Sequence, residues 1–194
     1  MSDSDDFSRW CRRLKASDRA AYANVFEALY HPLFRYVCSL TQKRAVARDI
    51  VQDVFVRLWD ARESLDPSQS LKAYLYRTAR NLAYNHRRNQ DTRREKTDDV
   101  REQSDAQPAP PAPPDLAVEG EWMEEHLRAG IAALPDRQRE ALVLSRFEGL
   151  SHDRIAEVMD ISPRTVNNHI VRALKRLRRH VQDYEPDLLD RDEP

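Results

Sequence analysis

The sequence predicts an all-α chain: two small helical domains joined by a flexible, proline-rich acidic linker. Three observations carry this. Hydrophobic residues make up 40% of the 194 positions and charged residues 34%, with only three glycines, a balance that favours charge-rich helices over a turn-threaded sheet. Apolar residues recur at helical spacing within residues 18–88 and again within 121–181. Between them, residues 89–120 have few large apolar side chains and carry Pro108, Pro110, Pro111, Pro113 and Pro114. Such a segment buries too little surface to fold alone, and its proline half is stiff and extended.

Residues 1–17 read as a polar lead. Ser17 or Asp18 then caps a helix whose apolar side carries Tyr22, Val25, Phe26 and Leu29. Pro32 lacks an amide hydrogen and is expected to bend or restart the helix, which resumes with Leu33, Phe34, Val37 and Leu40. A third helix places Ile50, Val51, Val54, Phe55, Leu58 and Trp59 on one wide stripe and should be the best buried of its domain. A break at Glu63–Ser70, with Pro67, precedes a fourth helix over 71–88. Its expected core side is Leu71, Tyr74, Leu75, Thr78, Ala79 and Leu82. Its expected outer side interleaves cations and rings: Lys72, Tyr76, Arg77, Arg80, Tyr84, Arg87 and Arg88. Cations suit phosphates and rings stack on bases, although a basic helix whose stems cover a core has the same pattern.

The second domain reads as four helices. The first packs Trp122, Met123, Leu127 and Ile131; the next starts at Pro135, buries Ala141, Leu142, Leu144 and Phe147, and is ended by Gly149. The remaining two lie within Ser151–His180. Ile155, Val158 and Met159 mark one face of the third helix, Ile161 sits in a tight turn, and Val166, Ile170, Ala173, Leu174 and Leu177 continue the stripe. Ser162 is placed as N-cap and Pro163 as first helical residue. From Arg164 to His180 the charges are Arg164, Arg172, Lys175, Arg176, Arg178 and Arg179, with no acid. A short helix, a turn and a basic helix form the helix-turn-helix pattern of duplex-DNA readers.

Net charge is −1, so affinity for nucleic acid has to come from segregated charge. The basic final helix is followed by an acidic tail, residues 182–194, with Asp183, Glu185, Asp187, Asp190, Asp192 and Glu193. Cys11 and Cys38 stand in no CxxC or His/Cys cluster, which reads as two reduced thiols without a zinc site. The acidic polar N-terminus is unlike a signal peptide and no apolar run spans a membrane, so the expected compartment is the cytoplasm. No phosphate loop, HExxH motif or nucleophile with an evident base emerges; the expectation is a non-enzyme without cofactor or metal.

Two blocks carry a family resemblance. RDIVQDVFVRLW at 48–59 with LKAYLYRTARNLAYNHRR at 71–88 resembles region 2 of the extracytoplasmic-function sigma factors of bacterial RNA polymerase. LPDRQREALVLSRFEGLSHDRIAEVMDISPRTVNNHIVRALKRLR at 134–178 is similar to region 4 of the same family. The resemblance implies an alternative sigma factor, with region 2 over 18–88, a linker over 89–120 and region 4 over 121–181. It implies as partners core RNA polymerase (the clamp of the largest subunit and the flap of the second-largest), promoter DNA and an anti-sigma factor. Asp49, Gln52 and Asp53 would dock on the clamp. The Glu63–Ser70 loop with Arg77, Arg80, Asn81, Tyr84, Asn85 and Arg88 would take the −10 element as separated strands, one base captured outside the stack. Arg164, Thr165, Asn168, Arg172 and Lys175 would face the duplex −35 element, where Asn and Arg read adenine and guanine bidentately.

The chain departs from the pattern at Asp160, where such turns prefer glycine; aspartate tolerates the left-handed conformation. In the family the linker threads polymerase channels, and the resemblance implies that the acids of Asp91–Asp105 could imitate nucleic acid there. SPRTVNNHIVRALKRL also resembles the DNA-binding end of LuxR/NarL-type regulators, which would make the protein an operator-binding activator. Against that, residues 24–88 show neither the alternating strands of a receiver nor its phosphoacceptor pocket.

Overall fold

A computed structural model describes residues 3–96 and 127–184. Every regular element among them is a helix, and the chain divides into two compact units. The first holds α1 (Asp3–Lys15), α2 (Arg19–Thr41), α3 (Arg44–Asp60), a short 3-10 helix η1 (Arg62–Ser64) and α4 (Leu71–Lys96). Further along the chain come α5 (helical over 127–132), α6 (Asp136–Arg146), α7 (His152–Met159) and α8 (Pro163–Tyr184), of which α5, α6 and α8 lie in the second unit. The expected linker from 97 onward, the core positions Trp122 and Met123, and the acidic tail from 185 lie outside the described residues.

The expected polar lead is a helix. In α1, Cys11 and Leu14 are 1% and 0% exposed, and α1 packs on α2, η1 and α4. Phe7, Trp10, Cys11 and Leu14 stand at i, i+3, i+4 and i+7, a narrow apolar stripe hidden among seven charged neighbours in 3–15. Asp18 accepts the amides of Ala20 and Ala21 at 2.8 and 3.2 Å and so caps α2. Ser17 takes a left-handed φ of 58° in the corner before it.

α2 runs unbroken through Pro32, against expectation. Leu29, Leu33, Tyr36, Val37 and Leu40 are buried on both sides of the proline. Burying each large apolar side chain stabilises by roughly 1.5–3 kcal/mol, so the row outweighs the ~3 kcal/mol local cost. α3 buries Ile50, Val51, Val54, Phe55 and Leu58, as its stripe predicts, and contacts both α2 and α4.

The fourth helix differs in two ways. It continues to Lys96, past the expected end at residue 88, with Thr92 Oγ1 donating back to the Arg88 carbonyl at 3.0 Å. Its core face is also rotated by about one position. Leu71, Leu75, Tyr76, Ala79 and Ala83 are at most 2% exposed, while Tyr74, Thr78 and Leu82 are half-buried. Tyr76, expected outside, is fully buried with its ring 5.2 Å from that of Tyr36. Two large rings meeting at the α2–α4 contact decide the rotation, since a tyrosine ring offers far more apolar area than Thr78.

In the second unit Leu134, Leu142, Ala173 and Leu177 form a core cluster with Ile131 packed against it. Gly130 lies so close to α8 that a Cβ there would stand 2.7 Å from His180 Cδ2. Arg139, 6% exposed, donates to the Ala132 and Leu134 carbonyls at 2.8 and 3.1 Å and to Asp136 at 2.6 Å. It thereby satisfies the end of α5 and the start of α6 with one guanidinium. Phe147, expected inside, is 57% exposed because α6 ends at Arg146 and the chain then reverses through Gly149 (φ 64°), bringing Leu150 to the core. Leu174, expected on the buried stripe, is 40% exposed.

Candidate nucleic-acid interface

Three exposed faces carry the residues singled out by sequence. On α3, the burial of Ile50, Val51, Val54 and Leu58 forces Asp49, Gln52 and Asp53 outward, and all three are exposed. Their i, i+3, i+4 spacing makes one acidic, hydrogen-bonding patch. Val56, one turn further and 56% exposed, extends that patch with an apolar side chain. An apolar residue out of phase with the buried stripe was its sequence signal.

On α4, the rotated core turns Arg77, Asn81, Asn85 and Arg88 to solvent. Positions 77, 81, 84, 85 and 88 form one continuous stripe. Tyr84 is half-buried within it, and two cations approach its ring: Arg80 at 4.5 Å and Arg87 at 5.9 Å from the centroid. Arg80 is only 9% exposed, so it does not stand on the open face as expected. Its position one turn before Tyr84 lets it hold the ring instead.

The loop leading into α4 is built from its own polar groups and from α1. Asp66 accepts from the Ser68 amide and hydroxyl at 2.9 and 2.7 Å and from Gln69 at 3.3 Å. The Ser68 hydroxyl and then its amide hold the Asp66 carboxyl below its ordinary value. Lys15, at the end of α1, donates to the Leu65 carbonyl at 2.8 Å. Arg62 donates to Ser17 Oγ at 2.9 Å and to the Trp59 carbonyl at 2.8 Å, its guanidinium 4.7 Å from the Trp59 ring centroid. Ser70 Oγ accepts the Ala73 amide at 3.2 Å and caps α4. The loop's shape thus depends on α1, through Lys15 and the corner residue Ser17 that follows it.

Ile155, Val158 and Met159 of α7 are buried and Asp160 takes the left-handed turn position at φ 54°. Ser162 caps α8 by accepting the Thr165 amide at 3.2 Å, and its hydroxyl also meets Thr165 Oγ1 at 2.8 Å. Thr165 is half-buried and its hydroxyl is engaged in this cap, whereas Arg164, Asn168, Arg172 and Lys175 are exposed. Positions 164, 168, 172 and 175 fall on one side of α8, an exposed face of three cations and an amide. His169 is half-buried, with an unpartnered Nδ1; burial, then Arg137 and Arg172, pushes its pKa down against Glu140.

Cys11 and Cys38 are buried free thiols; burial raises Cys11 and pushes Cys38 up to about 11. No described helix is long and apolar enough to cross a membrane. Among the described residues no group of three or more His, Cys, Asp or Glu is placed to hold a metal.

Residues 25–93 match the family model "Sigma-70 region 2", and residues 125–177 match "Sigma-70, region 4". The ECF RNA polymerase sigma factor RpoE of Cereibacter sphaeroides is 28% identical over 188 residues, covering 93% of this chain and 99% of the relative. The RNA polymerase sigma-H factor of Pseudomonas aeruginosa is 26% identical over 175 residues, covering 88% and 91%. Among solved structures, the sigma factor RpoE of Bartonella quintana, in a co-crystal with the anti-sigma factor NepR, superposes with a TM-score of 0.64 at 26% identity, covering 82% of this chain and 97% of that one. CnrH, in complex with the cytosolic domain of CnrY, shares the fold at a TM-score of 0.64 and 20% identity, covering 97% and 99%.

A helical chain with regions 2 and 4 in this order is a transcription initiation factor of the sigma type. Relatives that are ECF sigma factors align over 93% and 89% of it: the chain belongs to the extracytoplasmic-function sigma factors and is an alternative sigma factor. The operator-binding regulator reading is not favoured, because region 2 occupies the residues where a sensing domain would stand.

Proposed function

We propose that this sigma factor divides promoter recognition between the faces described above. The acidic face of α3, with Asp49, Gln52 and Asp53, docks on the clamp of core RNA polymerase, where its charge selects a basic surface and speeds encounter. The α4 stripe with the Asp66 loop takes the −10 element once its strands part: Arg77 and Arg88 on phosphates, Asn81 and Asn85 on base edges, Tyr84 on a base face. Removing a base from the stack costs a few kcal/mol, which contacts made only to the single strand offset. α8 anchors upstream through Arg164, Asn168, Arg172 and Lys175 on the −35 duplex.

The factor contributes binding energy and no catalytic step of its own. It works in the cytoplasm, where the polymerase is, and an anti-sigma factor holds it out of use, as NepR accompanies the Bartonella relative. The observation that carries the reading is the coincidence of two separate outward faces on region 2, one acidic on α3 and one basic with amides on α4. Runoff transcription with purified core polymerase tests it. Asp49→Lys with Asp53→Lys is expected to abolish core binding while leaving the helical content intact; full activity of that variant sinks the docking assignment.

A further inference from the structure

A cleft of about 320 Å³ lies between α6 and α8, lined by Gln138, Arg172, Lys175, Arg176 and Arg179. The four cations stand at i, i+3, i+4 and i+7 and so share one side of α8. Among the described residues, Lys175, Arg176 and Arg179 pair with no acid. Like charges crowded along one cleft repel one another and raise its affinity for an anion. The wall adds a second requirement: the side-chain oxygen of Gln138 is buried and has no hydrogen-bond partner. An occupant should therefore bring both negative charge and an N–H donor. A phosphodiester backbone has acceptors only, whereas an acidic peptide has carboxylates and backbone amides.

The chain supplies such a peptide where α8 ends. Residues 185–194 contain Glu185, Asp187, Asp190, Asp192 and Glu193 against a single cation, Arg191. Pro186 has no amide with which to continue a helix. From Tyr184 back to Arg179 and Arg172 is about 8–18 Å along α8, and ten residues extend to roughly 33 Å. Tethering at this range sets an effective concentration on the order of millimolar.

We propose that the acidic C-terminal segment, residues 185–194, docks in the α6–α8 cleft and competes there with duplex DNA for α8. The competition rests on the reading of α8 as the −35 anchor, since Arg172 belongs both to that stripe and to the cleft. The docking itself does not. Occupied by the tail, α8 is screened from random duplex; a promoter held next to it by polymerase displaces the tail.

The test uses a fluorescein-labelled peptide of residues 185–194, the full chain and a chain ending at Tyr184. At low salt the peptide's anisotropy should rise on titration with the truncated chain and respond more weakly to the full chain, whose cleft is filled. Arg176→Ser with Arg179→Ser should abolish the rise. In the chain ending at Tyr184, Gln138→Leu should weaken peptide binding while leaving duplex binding unchanged. Truncation should tighten binding to a short mixed-sequence duplex about 3- to 10-fold, the gap closing as salt is raised. Equal duplex affinity of the two chains overturns the competition. Peptide binding that survives the double substitution overturns the site, and DNA as the cleft's occupant would show as that substitution weakening duplex binding without any peptide binding. Failure in runoff transcription would count against the sigma reading alone and leave the peptide titration standing.

Discussion

The guanidinium of Arg80 lies 4.5 Å from the ring centroid of Tyr84, one helical turn along α4. Because Arg80 is 9% exposed, the pair is partly desolvated, and the contact is worth roughly 1–2 kcal/mol, about 5- to 30-fold in an equilibrium. Arg80→Ala should lower the open-complex fraction, read by permanganate reactivity, by about that factor. Its affinity for −35 duplex should not change. Arg80→Lys should recover part of the loss, since a charge without the planar face still meets the ring. A uniform loss of duplex and open-complex binding would show that Arg80 contacts phosphate.

α1 should behave as part of the core. Leu14→Ala, at a fully buried position, is expected to cost about 2–5 kcal/mol in urea unfolding. It should also loosen the Asp66 loop, because Lys15 holds the Leu65 carbonyl. A loss under about 0.5 kcal/mol, the range of an ordinary surface substitution, would return residues 3–15 to the status of a lead.

The turn between α7 and α8 separates a cap from a strained corner. Ser162→Ala should cost about 1 kcal/mol, the loss of one cap bond to the Thr165 amide. At Asp160, held at φ 54°, Asp160→Gly should be neutral or stabilising, whereas Asp160→Val should cost about 1–2 kcal/mol. Thermal melts order the three variants.

His169 gives the second unit a pH dependence of stability. Burial, reinforced by Arg137 and Arg172 and opposed by Glu140, holds its pKa below the ordinary 6.5. The unfolded chain therefore takes up a proton before the folded one does, so stability is full above pH 6.5 and falls as pH drops through the folded pKa. His169→Leu should flatten the decline in melting temperature just below pH 6.5; an unchanged decline would assign it to another group.

Much of this protein was legible in its residues because the signals were local. The Ser162–Pro163 start of α8, the left-handed Asp160 and the buried stripe of α3 each follow from a few neighbouring side chains. The Asp49, Gln52 and Asp53 face follows as the complement of that stripe. α1 was less legible, since four apolar residues among charges resemble a polar segment until α2, η1 and α4 supply surfaces to bury them. Pro32 shows the same limit from the other side: a strong local breaker is overridden when both flanking turns are packed.

The sequence by itself determined an all-α chain, its two sigma regions, its helix-turn-helix and the residue types offered to DNA. Tertiary structure decided which way α4 turns. Tyr76 goes inward against Tyr36, and that rotation sends Arg77, Asn81, Asn85 and Arg88 outward while drawing Arg80 under cover beside Tyr84. Helical periodicity defines a face only to within about one residue, some 100° of arc. The final choice among adjacent faces belongs to the partner helix, because only there do the large rings find area to bury.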